Sequence, residues 1–260
     1  MVFSSLTFLF IFLPVVVFLY SIIRNLKIQN LILIIFSLVF YAYGEPVYVL
    51  LMIASTIINY LFGLLIGGEA RSCRVKKAGL LLCVFANLAI LFVFKYSDMA
   101  VATMNRVFGL DIAAPQIILP IGISFFTFQA MSYVIDVYRG DVDEERNYFN
   151  VLLYISFFPQ LIAGPIVKYH DINKQIHERR QTFKESAYGL RRFFVGLAKK
   201  VLLADQFALV CDALYGSPIE DLNILSAWLA AFAYMLQIYF DFSGYSDMAI
   251  GLGHIFGFKF

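Results

Sequence analysis

Charge is what this 260-residue chain has least of: Asp, Glu, Lys and Arg make up 15% of it, against about 25% in soluble domains. Tryptophan occurs once, at Trp228, and histidine three times, at His170, His177 and His254. The three cysteines (Cys73, Cys83, Cys211) are odd in number, scattered and without metal-ligand spacing, which argues against a disulfide scaffold and a zinc site. There is no HExxH and no P-loop, and Gly251-x-Gly253 is too little for a dinucleotide fingerprint. Gly244-Tyr245-Ser246-Asp247-Met248 lacks the second glycine of a nucleophile elbow. Internal repeats, low-complexity tracts and linkers are also missing, so the chain reads as one continuous unit without the paired halves common in transporters. The net charge of +2 gives no reason to expect a nucleic-acid partner.

What is abundant is apolar. Hydrophobic residues reach 61%, with 28 Phe and 16 Tyr, and the mean hydropathy is +0.80. The excess sits in runs at about 6–23, 30–43, 47–66, 78–95, 117–138, 149–166, 201–215 and 224–240. Most are near the length that crosses ~30 Å of hydrocarbon as a helix. The chain is therefore expected to be an all-α, polytopic membrane helical bundle, in contact with membrane lipid. The start lacks a basic region and a small-residue cleavage site, so residues 6–23 read as a retained span rather than a signal peptide.

Cationic loops set an orientation. Arg24 and Lys27, then Arg71, Arg74, Lys76 and Lys77, mark 24–29 and 67–77 as cytoplasmic, with the N-terminus and 44–46 outside. The same rule puts 96–116 outside and Arg139–Arg146 inside. Residues 167–200 then hold nine basic against three acidic residues and should be cytoplasmic too, although an apolar run at 149–166 intervenes. That run contains Pro159, Gly164 and Pro165. A re-entrant segment resolves the conflict, because broken backbone at membrane depth is tolerated where protein or a watery cavity encloses it. Residues 182–200 follow as an amphipathic helix, lying in the cytoplasmic interface or solvated as a loop helix.

Polar groups interrupt the apolar pattern in two places. Gln237, Asp241, Ser243, Tyr245 and Asp247 continue directly from the run at 224–236. A central Asp costs about 2.5–3.5 kcal/mol on insertion scales, so these five residues are candidates for lining a substrate path. The plainer alternative is a helix leaving the membrane with these groups wetted at its boundary. In the second place, Ser124, Thr127 and Gln129 read as helix–helix contacts, and Asp136, Arg139 and Asp141 as a boundary salt bridge. His170 and His177 lie seven apart, but a third ligand is lacking, so no metal is expected. His254 beside the polar stretch reads as structural.

Four blocks, in order, resemble the membrane-bound O-acyltransferase family in its alginate O-acetyltransferase-like branch. They are MVFSSLTFLFIFLP (1–14), LPIGISFFTFQAMSYVIDVYRGD (119–141), FFPQLIAGPIVKYHDI (157–172) and QIYFDFSGYSDMAIGLG (237–253). The resemblance implies transfer of an acyl group, acetyl in this branch, from a cytoplasmic thioester such as acetyl-CoA, used as substrate with no bound cofactor. The acceptor it implies is a hydroxyl of a cell-surface polysaccharide, reached through extracytoplasmic partner proteins. It also implies a multi-pass protein of the cell membrane. The family's catalytic histidine belongs to a Trp- and Arg-rich block well after the FDFSGYSDMAIG position, hence beyond Phe260. None of the three histidines here takes that role. The expectation is that 1–260 is the N-terminal portion of a single acyltransferase domain, truncated before that block and inactive alone. A teichoic acid D-alanyl transferase is the alternative within the class; a transporter, a channel or a non-catalytic membrane scaffold are the alternatives outside it.

Overall fold

The computed structural model describes residues 2–68, 71–162, 164, 167–218 and 223–259. The described residues form helices and no strands, and they divide into two compact units. Among the described residues, four helices are long and apolar enough to cross a membrane: Leu26–Gly44, Tyr48–Gly67, Cys73–Phe108 and Ile224–Ile255. The chain is an all-α membrane protein.

One unit holds residues 25–162 and 166–177. Its helices are α2 (Leu26–Gly44), α3 (Tyr48–Gly67), α4 (Cys73–Phe108), α5 (Ile123–Arg139), α6 (Tyr148–Ser156), α7 (Phe158–Leu161) and α8 (Tyr169–Glu178). Helix α4 is longer than its apolar run. The stretch at 96–116 that the charge rule puts outside is helical to Phe108, and the helix stops only where Gly109 turns left-handed at φ 66°. Beyond it the chain folds back on α4: the Asn105 amide bonds both the N–H and the carbonyl of Ile112, and Asp98 accepts the N–H of Gln116. The run expected from 117 becomes helical only at Ile123. Gly122 is left-handed at φ 77°, and a Cβ there would lie 2.9 Å from the Leu161 carbonyl oxygen.

Between α3 and α4 two buried amides pair reciprocally. The Asn59 amide nitrogen donates to Asn87 Oδ1 at 3.0 Å, and that of Asn87 donates to Asn59 Oδ1 at 2.9 Å. An amide in lipid would be left unsatisfied; here each satisfies the other.

The segment at 149–166 is broken at Phe157, whose ψ of 108° ends α6, and Pro159 then sits in the first turn of α7. Helix α6, with nine residues, is about 14 Å long, too short to cross. Every residue from Asn150 to Leu161 is buried. The backbone groups freed by the break find side chains: Phe158 N–H donates to Ser37 Oγ at 3.1 Å, and the Tyr154 carbonyl accepts from Gln129 Nε2 at 2.6 Å. Pro165, part of the expected break, lies outside the described residues. After the break the chain returns to where it entered. Glu145, just before α6, accepts from the Tyr169 hydroxyl at 3.2 Å and pairs with His177 Nε2 at 2.9 Å, both residues of α8. That is the geometry of a re-entrant segment.

The boundary salt bridge expected of Asp136, Arg139 and Asp141 does not form among the described residues. Asp136 instead accepts the backbone N–H of His170 at 3.2 Å, capping the first turn of α8, where a carboxylate is favoured by the helix dipole.

The other unit holds residues 1–24, 163–165 and 178–260. A π-helical turn, Phe8–Phe12, leads into α1 (Leu13–Ile22). Helix α9 (Phe183–Ala198) runs without a break through a π-helical segment, Lys199–Ala204, into α10 (Asp205–Tyr215). The amphipathic helix and the following apolar run are thus one continuous rod. It lies antiparallel along α11 (Ile224–Ile255). The contact is close because glycines meet: a Cβ on Gly251 would lie 2.5 Å from the Gly189 carbonyl oxygen, and one on Gly196 2.5 Å from that of Gly244. Both pairs recur at a spacing of seven residues, so they share one face of each helix. Past α11 the chain turns at Gly257 (φ 81°) and is tied to α1, where the Tyr20 hydroxyl donates to the Phe256 carbonyl at 2.7 Å.

Candidate functional site

The glycine contact brings a set of ionisable side chains into register. Asp247 on α11 receives two cations from the neighbouring rod, Arg192 Nε at 3.0 Å and Lys199 Nζ at 2.6 Å. Lys199 also donates to Ser243 Oγ at 3.1 Å. The adjacent Lys200 joins Asp241 at 2.8 Å and Asp205 at 3.0 Å. Towards the chain's end Glu185 pairs with His254 Nδ1 at 3.0 Å and with Lys259 at 2.8 Å. Tyr188 packs edge-on against the His254 ring, 5.0 Å away.

Why Lys199 and Lys200 both reach α11 follows from the helix geometry. They open the π-helical segment, and the residues on either side keep the α-helical rise. A π-bulge inserts a residue and changes which side chains face a neighbour, and it occurs often at functional sites. The neighbouring glycines matter equally, because a larger residue at Gly196 or Gly244 would push the cations away from the carboxylates.

Of the five residues singled out from sequence, three enter this seam. Asp247 is largely shielded, its side chain 17% exposed, whereas Asp241 is 51% exposed and sits at the edge. Ser243 lies between them. Tyr245 is half-buried and stacks on Phe3, the rings 4.8 Å apart. Gln237 is half-buried on α11 and is not drawn into the seam. Each carboxylate that would be costly alone in lipid is matched by a cation from the same unit. Arg192, Lys199 and Lys200 were legible only as cations of an amphipathic helix, and the signal that would have found their partners is the shared seven-residue glycine spacing at Gly189/Gly196 and Gly244/Gly251. The arrangement sets three cations, Arg192, Lys199 and Lys200, against three carboxylates, Asp205, Asp241 and Asp247, beside the Ser243 hydroxyl.

Residues 143–260 match the model of the membrane-bound O-acyltransferase family, a stretch containing both the re-entrant segment and the seam. Over its whole length the chain is 43% identical to a probable alginate O-acetylase of Pseudomonas aeruginosa, of which it covers 50%. The chain carries a membrane-bound O-acyltransferase family domain over 143–260. It is also 33% identical over all its residues to a peptidoglycan O-acetyltransferase of Helicobacter pylori, covering 55% of that protein. With a teichoic acid D-alanyltransferase of Bacillus subtilis the identity is 27%, over 54% of this chain and 36% of the relative. The chain spans about half the length of the alginate and peptidoglycan relatives that it matches from end to end.

Proposed function

We propose that the chain serves in the transfer of an acetyl group from a cytoplasmic thioester, acetyl-CoA being the donor class, to hydroxyls of a cell-surface polysaccharide. The observation that carries this reading is the end-to-end similarity to O-acetylases of two different glycans, alginate and peptidoglycan. The D-alanyl alternative is supported over only 54% of the chain and at lower identity. In this reading the basic loops face the cytoplasm, the helix pair α9–α11 builds part of an enclosed route, and Asp241, Ser243 and Asp247 belong to its wall. Gln237 and Tyr245 line the same stretch of α11. Partner proteins on the outer side complete delivery to the glycan. The reacting histidine belongs to the part of the family's domain that these residues do not represent. Attack by a glycan hydroxyl on the thioester carbonyl needs a base to take the hydroxyl proton, and a histidine suits that at neutral pH.

The test uses the gene at its native locus. Inside-out and right-side-out membrane vesicles are supplied with radiolabelled acetyl-CoA, and alkali-labile label on the polysaccharide is counted. The expected result is labelling in inside-out vesicles only, absent after deletion of the gene. Unchanged labelling after the deletion refutes the function, and labelling of right-side-out vesicles refutes the cytoplasmic donor.

A further inference from the structure

A second polar feature lies wholly within the unit of α2–α8 and takes no part in the seam. A hollow of about 750 Å³ opens where α2 and α6 begin, beside the last turn of α8. Lys27, Arg146 and His177 line it, together with Asn30, Asn150 and Glu145. Its chemistry is dominated by donors. Lys27 makes no ion pair among the described residues. Arg146 has only a 3.3 Å contact with Glu144, on a side chain 86% exposed, which solvent leaves weak. Two helix N-termini add partial positive charge: the caps Asn25 and Asn147 accept from Lys27 N–H and Phe149 N–H at 3.0 and 3.1 Å, and the other first-turn N–H groups point the same way.

The one carboxylate lining the hollow is already engaged. Glu145 Oε2 takes the Tyr169 hydroxyl and the His177 ring, and Oε1 takes the Asn147 N–H at 2.9 Å. The decisive group is Asn150. It is 8% exposed, it lines the hollow, and its side-chain amide makes no hydrogen bond among the described residues. With no protein partner, that amide is met only by what fills the hollow, water or an entering ligand, and is free to donate to it.

We propose that this hollow is a binding site for an anionic phosphate ester, with Lys27 and the Asn150 amide as its principal donors. A phosphate offers acceptor oxygens to an ammonium, a guanidinium and helix N-termini together. The volume is far larger than a phosphate alone and leaves room for the alcohol it esterifies. Two sources supply this chemistry. Because the hollow sits at the start of a membrane-crossing helix, an anionic phospholipid headgroup lies at the same level; a soluble phosphate reaches it from the aqueous side. The site stands apart from the acyl-transfer reading and does not depend on it.

The test is native mass spectrometry of the delipidated 260-residue chain in neutral detergent, with phosphatidylglycerol and phosphatidylcholine in one arm and inorganic pyrophosphate in the other. Binding of phosphatidylglycerol in preference to the zwitterionic lipid, or of pyrophosphate, supports the site and names its source. Lys27→Gln then weakens binding about fivefold, and Asn150→Leu, which matches the volume, weakens it by a similar factor or more. Lys76→Gln in another basic loop leaves it unchanged. Thermal protection of the buried Cys83 thiol certifies that each variant is folded. Parent-like affinity in both hollow variants, equal weakening by Lys76→Gln, or no anion binding in either arm overturns the proposal.

Discussion

Replacing Gly251 by leucine tests the architecture of the seam at one atom. The first carbon added to Gly251 meets the Gly189 carbonyl oxygen at 2.5 Å, Phe193 N at 2.6 Å and Phe193 Cα at 3.0 Å. All three are backbone atoms, so no side chain can rotate away. Ordinary van der Waals contact begins near 3.4 Å, so α9 and α11 must part by nearly an ångström. Overpacking of this kind costs about 3 kcal/mol, and the better helix propensity of leucine returns about 1 kcal/mol. The net loss is about 2 kcal/mol, or roughly 4–8 °C in melting temperature. Cys211, buried at 3% exposure in α10 of the same unit, supplies the assay. In a background keeping only that cysteine, a thiol-reactive dye reports the temperature at which the unit opens. Ala227→Leu is the control, because that residue is exposed on the same helix and leucine there meets no backbone. If Gly251→Leu melts with the parent and with Ala227→Leu, the glycine contact is not what holds the two helices together.

Two further outcomes follow from the same structure. Asn59→Ala leaves the buried Asn87 amide without its partner and should cost about 1–2 kcal/mol, whereas Asn59→Leu with Asn87→Leu should be close to neutral; protection of the Cys83 thiol on heating measures both, and a double variant as unstable as the single one refutes the reciprocal pairing. The hydrogen bond from Lys259, helped by His254 and opposed by desolvation, holds the Glu185 carboxyl below its ordinary 4.5. A carboxyl lowered in the folded state stabilises it above the ordinary value and loses that contribution as pH falls through the lowered one. Hydrogen exchange in 183–198 should therefore quicken below pH 4.5 beyond its intrinsic trend, and Glu185→Gln should remove the pH dependence; a parent chain without the acid response refutes the tie.

Composition by itself made this a membrane protein, because 61% apolar residues in span-length runs leave few other places for them. The re-entrant segment was legible too, since cationic loops on both sides of an apolar run leave only a return path. The same charges misled elsewhere. Asp136 and Arg139 are close in sequence and look like a pair, yet Asp136 is spent on the first turn of α8. The apolar run that ends at 95 also understates its helix, which continues to Phe108, because a polar residue ends a membrane run without ending a helix.

From residue order alone it follows that Asp241 and Asp247 must be sheltered, neutralised or wetted at a membrane boundary, since an isolated charge in hydrocarbon is costly whatever the fold. Which groups neutralise them, Arg192, Lys199 and Lys200, only the tertiary structure decided. Those partners stand 41 to 55 residues away along the chain, and a hydropathy pattern counts a cation as a loop marker without saying what it meets. Backbone contact at the paired glycines sets the register of α9 on α11, and the register chooses the ion pairs.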